Sequence, residues 1–198
     1  MLTPPDALLF DMDGTLTAPL LDFPRIKADM GIGAGPILEA LAAMTGERRR
    51  LAEAVLHRHE QTAAVESTLN PGCAELLSLI ASRRIPMALI TRNSRQSVQT
   101  VLQRHGLLTA FAILITREDG RHKPHPDPLF LACDKLGVDV TRTWMVGDSH
   151  HDVEAGLAAG AGTVWLSHGQ PRPFAAEPWR TVRDLFELME MLQAAGKP

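Results

Sequence analysis

The sequence predicts an α/β fold: a Rossmann-like parallel β-sheet with helices on both faces, and a small α-helical cap inserted after the first strand. Short apolar runs of strand length alternate along the chain with longer segments of helical periodicity. The runs are continuously apolar, as expected for strands that are buried on both faces. The chain has 198 residues, of which 45% are apolar and 22% charged, so it is long enough to bury a sizeable core.

Five apolar runs predict the strands of this sheet. They are Ala7–Phe10, Met87–Ile90, Ala112–Ile115, Trp144–Val146 and Thr163–Leu166. Helical periodicity predicts helices over Ala74–Arg83, Ser94–His105, Pro128–Leu136 and Thr181–Leu192. Gly106 and Gly137 stand where helix C-caps are expected.

The segment between the first and second strands breaks the alternation. It contains no strand-like run, but helices are predicted at 37–44, after Gly35-Pro36, and at 47–64. Asn70-Pro71-Gly72 is a turn signal that marks the return to the sheet. We therefore expect a core domain of residues 1–16 and 70–198 and a helical cap of residues 17–69. The glycines of 31–35 resemble a dinucleotide loop but follow no strand, which disfavours nucleotide binding.

Composition narrows the classes of partner. A net charge of -3 and a pI near 6.2 give no basic surface for nucleic acid. Cys73 and Cys133 are far apart and predict neither a disulfide framework nor a thiolate metal site. The N-terminal apolar run is too short for a signal peptide or a membrane span, so we expect a cytoplasmic protein that acts on a small molecule. The oligomeric state is left open.

Polar residues stand directly after the predicted strands. Asp11 and Asp13 follow the first, Thr91 the second, Lys123 lies in the loop after the third, and Asp148 follows the fourth, with Asp152 about one helical turn later. Because parallel sheets bind ligands at the carboxyl ends of their strands, we expect these side chains to converge on one pocket.

A hard divalent cation is the expected occupant of such a pocket, because gathered carboxylates repel one another without one. Mg²⁺ fits best, since it keeps waters and a phosphate oxygen among its ligands. Thr91 and Lys123 would then bind the phosphate, and Gly14 would allow a tight turn whose backbone N–H groups approach it.

The four ordered motifs resemble those of the haloacid dehalogenase-like hydrolase superfamily, in its phosphoglycolate phosphatase-like branch with a small helical cap. The motifs are Asp11-Met12-Asp13-Gly14-Thr15, Thr91, Lys123 and Gly147-Asp148-Ser149-His150-His151-Asp152. The resemblance covers essentially the whole chain outside the insert, and the insert lies where capped members carry theirs.

The resemblance implies a phosphatase of small phosphorylated metabolites, phosphoglycolate-like ones among them, in which Asp11 attacks phosphorus and forms an aspartyl-phosphate. Asp13 would act first as general acid and then as general base. Mg²⁺ would be held by the Asp11 carboxylate, the Asp13 backbone carbonyl and Asp148. Lys123 and Thr91 would offset charge on the phosphoryl group. Asp152 and Ser149 would not bind the ion or the substrate themselves but would orient the groups that do.

Substrate choice is expected to come from residues beyond the phosphate. Gly14, Arg92 and Asn93 are placed with the phosphate or substrate contacts, although Arg92 could equally face solvent. From the insert, the candidates are Arg25, Lys27, His57, His59 and Glu60. Arg25 and Lys27 would favour a second negative group on the substrate, or would be solvated surface charges.

Several alternatives stay open at this stage. Adjacent histidines such as His150 and His151 cannot easily share one zinc ion, and His122 and His125 are expected at the rim. A dehalogenase would share the aspartate nucleophile, but it needs no acid two residues later, so Asp13 argues against it. A phosphoglucomutase-like transfer or a non-enzymatic binding module would keep the same fold.

Overall fold

The structure, a computed structural model, describes residues 3–195, which form one six-stranded sheet flanked by helices. The strands are β1 (Ala7–Phe10), β2 (Met87–Ile90), β3 (Ile113–Ile115), β4 (Thr143–Gly147), β5 (Gly162–Leu166) and β6 (Arg180–Val182). The α-helices are α1 (Phe23–Asp29), α2 (Ile37–Ala42), α3 (Gly46–Glu66), α4 (Cys73–Ser82), α5 (Arg95–Arg104), α6 (Asp127–Leu136), α7 (His150–Ala159) and α8 (Leu185–Ala194). Short 3-10 helices span Arg117–Asp119 and Val140–Arg142.

All strand pairs of the sheet are parallel, and their order is β3-β2-β1-β4-β5-β6. The direction of winding therefore reverses between β1 and β4. At such a switch point the connections leave toward opposite faces, and a crevice opens at the carboxyl ends of the two strands. The predicted α/β class and parallel sheet are confirmed.

Alternate residues of β1 point to two separate cores. Leu8 and Phe10 lie in the cluster that α4, α5 and α8 cover, whereas Leu9 lies in the cluster that α6 and α7 cover. All four residues of β1 are fully buried, with no exposed surface. A strand packed on both faces cannot alternate apolar with polar residues, which is why the run is continuous.

One predicted helix start was wrong. The helix predicted from Thr181 begins at Leu185, and Thr181 belongs instead to β6, which pairs with β5. The carboxylate of Asp184 accepts a hydrogen bond from the backbone N–H of Glu187 at 2.9 Å and so fixes the helix start. A three-residue edge strand is too short to show its own periodicity beside an apolar helix.

The insert contains one helix that was not predicted, α1. Asp22 caps it by accepting from the Arg25 N–H at 3.0 Å, and Pro24 stands in its first turn. The insert has its own apolar cluster, formed by Ile26, Met30, Ile37, Leu41, Met44, Ala52 and Leu56. The end of α3 differs, because Ala64 joins the sheet cluster. The division into core and cap at residues 16/17 and 69/70 stays a prediction.

The described helices and the two cysteines bear on the sequence expectations through their length, hydropathy and burial: both cysteines are buried. Among the helices of residues 3–195, none is both long and apolar enough to cross a membrane. Cys73 and Cys133 are buried free thiols, and burial raises the pKa of Cys73 to about 12. Cys73 is therefore a thiol at neutral pH.

The separate cluster of the insert gives a test of the domain division. Ile26→Ala should cost about 2–5 kcal/mol, because it leaves a cavity in that cluster. We expect faster amide hydrogen exchange in α1 and α2 and unchanged exchange in β1 and β4. Ile80→Ala in the sheet core is the control, and it should accelerate exchange throughout the sheet. Equal acceleration everywhere in Ile26→Ala would contradict a separate cap.

Candidate active site

A tight turn after β1 carries the first two aspartates. The carbonyl of Met12 accepts from the N–H groups of Thr15, Leu16 and Thr17 at 3.2, 2.8 and 3.0 Å. Gly14 lies inside this turn with a φ of +77°. A Cβ atom at Gly14 would lie 2.1 Å from Oδ2 of Asp148, so only glycine allows this approach.

Lys123 is the buried centre of the site, with a side chain only 2% exposed. Its Nζ donates to Oδ1 of Asp11 at 2.7 Å, to Oδ1 of Asp152 at 2.5 Å and to the carbonyl of Ile90 at 2.6 Å. Burial acts to lower the pKa of Lys123, but the adjacent charges of Asp11 and Asp152 outweigh it and raise that pKa above its ordinary value. The lysine therefore stays an ammonium whose three donors are all used.

Asp11 and Asp13 have different partners although they are two residues apart. Asp11 faces the Lys123 ammonium, whereas Asp13 accepts from the Nδ2 of Asn93 and, at 3.4 Å, from Oγ1 of Thr17. Burial raises the pKa of Asp13, and the two neutral donors only partly oppose it. Burial also raises the pKa of Asp11, which Lys123 lowers and nearby carboxylates raise further. The pair thus combines an ion-paired carboxylate with one bound by neutral donors.

Thr91 lies at the end of β2, where its N–H donates to the carbonyl of Ile115 at 3.0 Å. Its Oγ1 accepts from the N–H of Asn93 at 3.2 Å. The hydroxyl thereby orients the residue that contacts Asp13, and Thr91 is itself buried.

Three carboxylates meet beside Lys123: Asp11, Asp148 and Asp152 each offer an oxygen within 4.8 Å of the others. Both oxygens of Asp152 have partners, since Oδ1 accepts from Lys123 and Oδ2 accepts from the N–H and Oγ of Ser149 at 3.0 and 2.6 Å. The bond from the Ser149 N–H to Asp152 is one half of the capping box of α7. Asp152 is thereby held behind the other two carboxylates.

Of the three carboxylates, those of Asp11 and Asp148 have oxygens left to bind a cation. In residues 3–195 no hydrogen bond reaches Oδ2 of either side chain. Burial and the charge of Asp152 raise the pKa of Asp148 to about 6, and the opposing effect of Lys123 is smaller. An all-oxygen donor set under this repulsion fits a hard divalent ion such as Mg²⁺.

Two residues that were not predicted to belong to the site, Asn70 and His168, bind the backbone carbonyls of the turn after β1. Nδ2 of Asn70 donates to the carbonyls of Gly14, Thr15 and Thr17 at 3.2, 2.8 and 3.1 Å. Nε2 of His168 lies 2.6 Å from the Gly14 carbonyl, and His168 has a left-handed φ of 51°. His168 follows β5 closely. The expectation that polar residues after each strand belong to the site would therefore have included it.

Arg92 lies at the rim of the site and connects it to the insert. Its Nη1 donates to the carbonyl of Lys123, and its Nη2 donates to both carboxylate oxygens of Glu39 at 3.0 and 3.2 Å. Nε2 of His122 lies 3.5 Å from Glu39. Glu39 was not singled out in the sequence, because a lone glutamate on a short helix gives no signal.

Other predicted residues of the insert are not brought to the carboxylates. Arg25 is 70% exposed and pairs with Asp29 at 3.3 Å, and within the described chain neither Arg25 nor Lys27 bonds to a residue of the site. His59 also binds Asp29, at 2.8 Å. A substrate contact by Arg25 or Lys27 stays a prediction that no contact supports.

Glu60, another candidate substrate contact, is buried and ion-paired, and a contact with the substrate stays a prediction. Glu60 is 4% exposed, binds Arg117 and accepts from Oγ of Ser97 at 3.5 Å. It therefore ties α3 to the sheet domain, since a buried carboxylate must be paired.

The two adjacent histidines of the fourth motif pack against each other and against an aromatic ring. The rings of His150 and His151 stack on each other with centroids 3.9 Å apart, and His150 also contacts Phe174. Burial and neighbouring cations lower the pKa of His151 to about 4, so it is neutral at pH 7. His125 lies near Asp127 at the surface.

Comparisons with known proteins agree on the family. Residues 5–160 match the sequence profile of haloacid dehalogenase-like hydrolases. The chain is 31% identical over 189 residues to an N-acetylmuramic acid 6-phosphate phosphatase of Pseudomonas aeruginosa, covering 84% of each chain. It is 27% identical over 215 residues to a phosphoglycolate phosphatase of Chromobacterium violaceum, covering 94% of this chain and 96% of the relative. The fold matches a hydrolase of Pseudomonas syringae with a TM-score of 0.82 at 20% identity, over 96% of this chain and 99% of that one.

The raised pKa of Asp148 predicts how Mg²⁺ binding depends on pH. Protons compete with the ion below the pKa of about 6, so the affinity for Mg²⁺ should fall at least about tenfold from pH 7 to pH 5. Isothermal titration calorimetry measures the Mg²⁺ affinity at each pH. Asp148→Asn should weaken binding at pH 7, and Glu53→Gln, on the exposed face of α3, should not. Equal affinity at both pH values would contradict the assignment.

Proposed function

Because the chain belongs to the haloacid dehalogenase-like hydrolases, we propose that it is a Mg²⁺-dependent cytoplasmic phosphatase that hydrolyses a small phosphorylated metabolite through an aspartyl-phosphate. One observation carries the proposal. Asp11, at the end of β1, is paired with the buried ammonium of Lys123, while Asp13 beside it is held by neutral donors. This arrangement offers a nucleophile and a proton carrier on one turn.

In the first step, a carboxylate oxygen of Asp11 attacks phosphorus as the bond to the leaving oxygen breaks. The attacking group must be ionised, and the Lys123 contact at 2.7 Å favours its charged form against burial. The ammonium also offsets charge on the transferring phosphoryl group, together with the hydroxyl of Thr91.

Asp13 would supply the proton that the leaving alkoxide takes. Its pKa is raised by burial, so it holds a proton more readily than an exposed aspartate does. Asn93 and Thr17 fix the orientation of its carboxyl group.

In the second step, Asp13 acts as the base. It takes a proton from a water molecule, whose oxygen attacks phosphorus and breaks the bond to Asp11. Inorganic phosphate leaves, the Asp11 carboxylate is restored, and Asp13 is protonated again for the next cycle.

Bound Mg²⁺ would polarise the phosphoryl oxygens and neutralise their charge. Asp11, Asp148 and the backbone carbonyl of Asp13 are the proposed ligands. Asp152 keeps Lys123 in place, and Ser149 keeps Asp152 in place. The ammonium would therefore stay beside Asp11 when the ion is bound.

The substrate class that we propose is a phosphorylated acid. Two similar proteins are named for such compounds, N-acetylmuramic acid 6-phosphate in one case and phosphoglycolate in the other. The choice of leaving group would come from the rim and the helical cap, because the residues around Lys123 handle the phosphoryl group alone.

Turnover of p-nitrophenyl phosphate tests the activity. We expect phosphate release with Mg²⁺, loss of it with excess EDTA, and its return when Mg²⁺ is restored. Asp11→Asn should lower kcat by more than about a hundredfold without unfolding, since an amide oxygen is a poor nucleophile. Retention of more than about a tenth of kcat, a barrier change under ~1.4 kcal/mol, would contradict the nucleophile assignment. Full activity in EDTA would contradict the Mg²⁺ assignment.

Asp13→Asn separates the two steps. The p-nitrophenolate ion is a good leaving group that needs no proton, so this variant should still release up to one equivalent per enzyme in a rapid burst. Hydrolysis of the aspartyl-phosphate should then be slowed about 10²- to 10⁴-fold, because the general base is missing. Stopped-flow absorbance measures both phases. A variant without a burst, or with wild-type steady-state turnover, would remove Asp13 from its role as base.

A further inference from the structure

The guanidinium of Arg92 is held between the phosphate side of the site and the insert. Arg92 follows Thr91 directly, and its Nη1 is bound to the carbonyl of Lys123, whose Nζ contacts Asp11. Its other amino group, Nη2, is turned outward to Glu39 in α2. One end of the guanidinium is therefore bound to the loop that carries Lys123, and the other end is bound to α2 of the insert.

The partner on the outer side of Arg92 is a carboxylate that can be exchanged. Glu39 is 44% exposed, whereas the Arg92 side chain is 19% exposed. A partly exposed ion pair of this kind contributes little to stability, so another carboxylate could replace it at small cost. Arginine also has five N–H donors in a planar fork, which suits a carboxylate.

A second side chain, His122, faces the same carboxylate. Nε2 of His122, one residue before Lys123, lies 3.5 Å from Oε1 of Glu39. Arg92 thus forms a seat for a carboxylate, with the His122 imidazole beside it and the residues expected to bind phosphate nearby, and Glu39 of this chain already occupies the seat.

We propose that Arg92 is a specificity-determining residue that binds a carboxylate of the substrate, and that Glu39 is an intramolecular competitor for the same seat. This inference rests on the proposed phosphatase function and deepens it. When a phosphorylated acid binds, its carboxylate replaces Glu39 on Nη2 of Arg92, and α2 loses this contact. A phosphate ester without a carboxylate leaves the Glu39 pair in place.

The alternative role for the same contact is a latch that holds α2 over the site for every substrate. The two roles differ in the effect of Glu39. A latch makes Glu39 helpful for all esters, whereas a competitor makes it harmful for acidic esters alone. Substrates that differ only in the carboxylate can separate these effects.

The test compares 2-phosphoglycolate with ethyl phosphate, which has a methyl group in place of the carboxylate. For the wild type we expect a higher kcat/KM on 2-phosphoglycolate. Arg92→Met should lower the ratio of kcat/KM values, acid over neutral ester, about 10- to 100-fold, as expected for loss of a charge-assisted hydrogen bond. Arg92→Lys should recover part of this ratio.

Glu39→Gln is the second variant. The Glu39 side chain is exposed enough that its substitution should leave folding intact. The variant should lower KM for 2-phosphoglycolate about two- to fivefold, because the competing charge is removed, and leave KM for ethyl phosphate unchanged. Arg49→Met and Glu53→Gln are the matched controls, since they break an exposed Arg–Glu pair at 2.8 Å on α3. Both controls should keep the wild-type ratio.

Equal losses on both esters in Arg92→Met, a loss on both in Glu39→Gln, or a wild-type ratio near one would overturn the inference. Turnover of p-nitrophenyl phosphate with Mg²⁺ would show in each of these cases that the phosphatase proposal stands. Failure of the wild type on all three esters would overturn both proposals.

Discussion

The ammonium of Lys123 is the contact on which the rest of the site depends. A buried amine keeps its charge only where its partners offset the cost of leaving water, and here Asp11, Asp152 and the Ile90 carbonyl take all three donors. In return, the ammonium holds one oxygen each of two carboxylates that would otherwise repel each other. The remaining negative charge, on Asp11 and Asp148, favours a divalent cation.

The sheet explains why these groups meet. The winding reverses between β1 and β4, so Asp11 and Asp148 leave neighbouring strands at the same crevice. Close packing then sets the distances: Gly14 leaves room for the Asp148 carboxylate, and Asn70 and His168 fix the carbonyls of the turn. The site is therefore held by rigid elements on several sides, as preorganised electrostatic catalysis requires.

Two ion pairs of different character are among the contacts that join the insert to the rest of the chain. Glu60 and Arg117 form a buried pair, which is costly to separate because it would leave a charge without a partner. Glu39 and Arg92 form a partly exposed pair, which exchanges at little cost. The C-terminal end of α3 is thereby fixed to the sheet domain, while α2 is attached at the rim by a contact that a ligand could replace.

The sequence by itself determined most of the strands and helices and which polar side chains stand at the strand ends. Continuous apolar runs such as Ala7–Phe10 predicted strands buried on both faces, and the polar residues after them predicted the group around Lys123. Both signals are local, because burial fixes the residue types within a strand and the strand end fixes where the next side chain lies. Elements with weak local signals were missed, as in the short edge strand β6 and in α1.

Only the tertiary structure decided which charged side chains pair. Glu60 and Glu39 are both helical glutamates of the insert, and nothing in their sequence neighbourhoods shows that one is buried against Arg117 while the other binds Arg92 at the rim. Arg117 lies 57 residues from Glu60 and Arg92 lies 53 residues from Glu39, so these contacts depend on how helices and strands pack and not on local pattern.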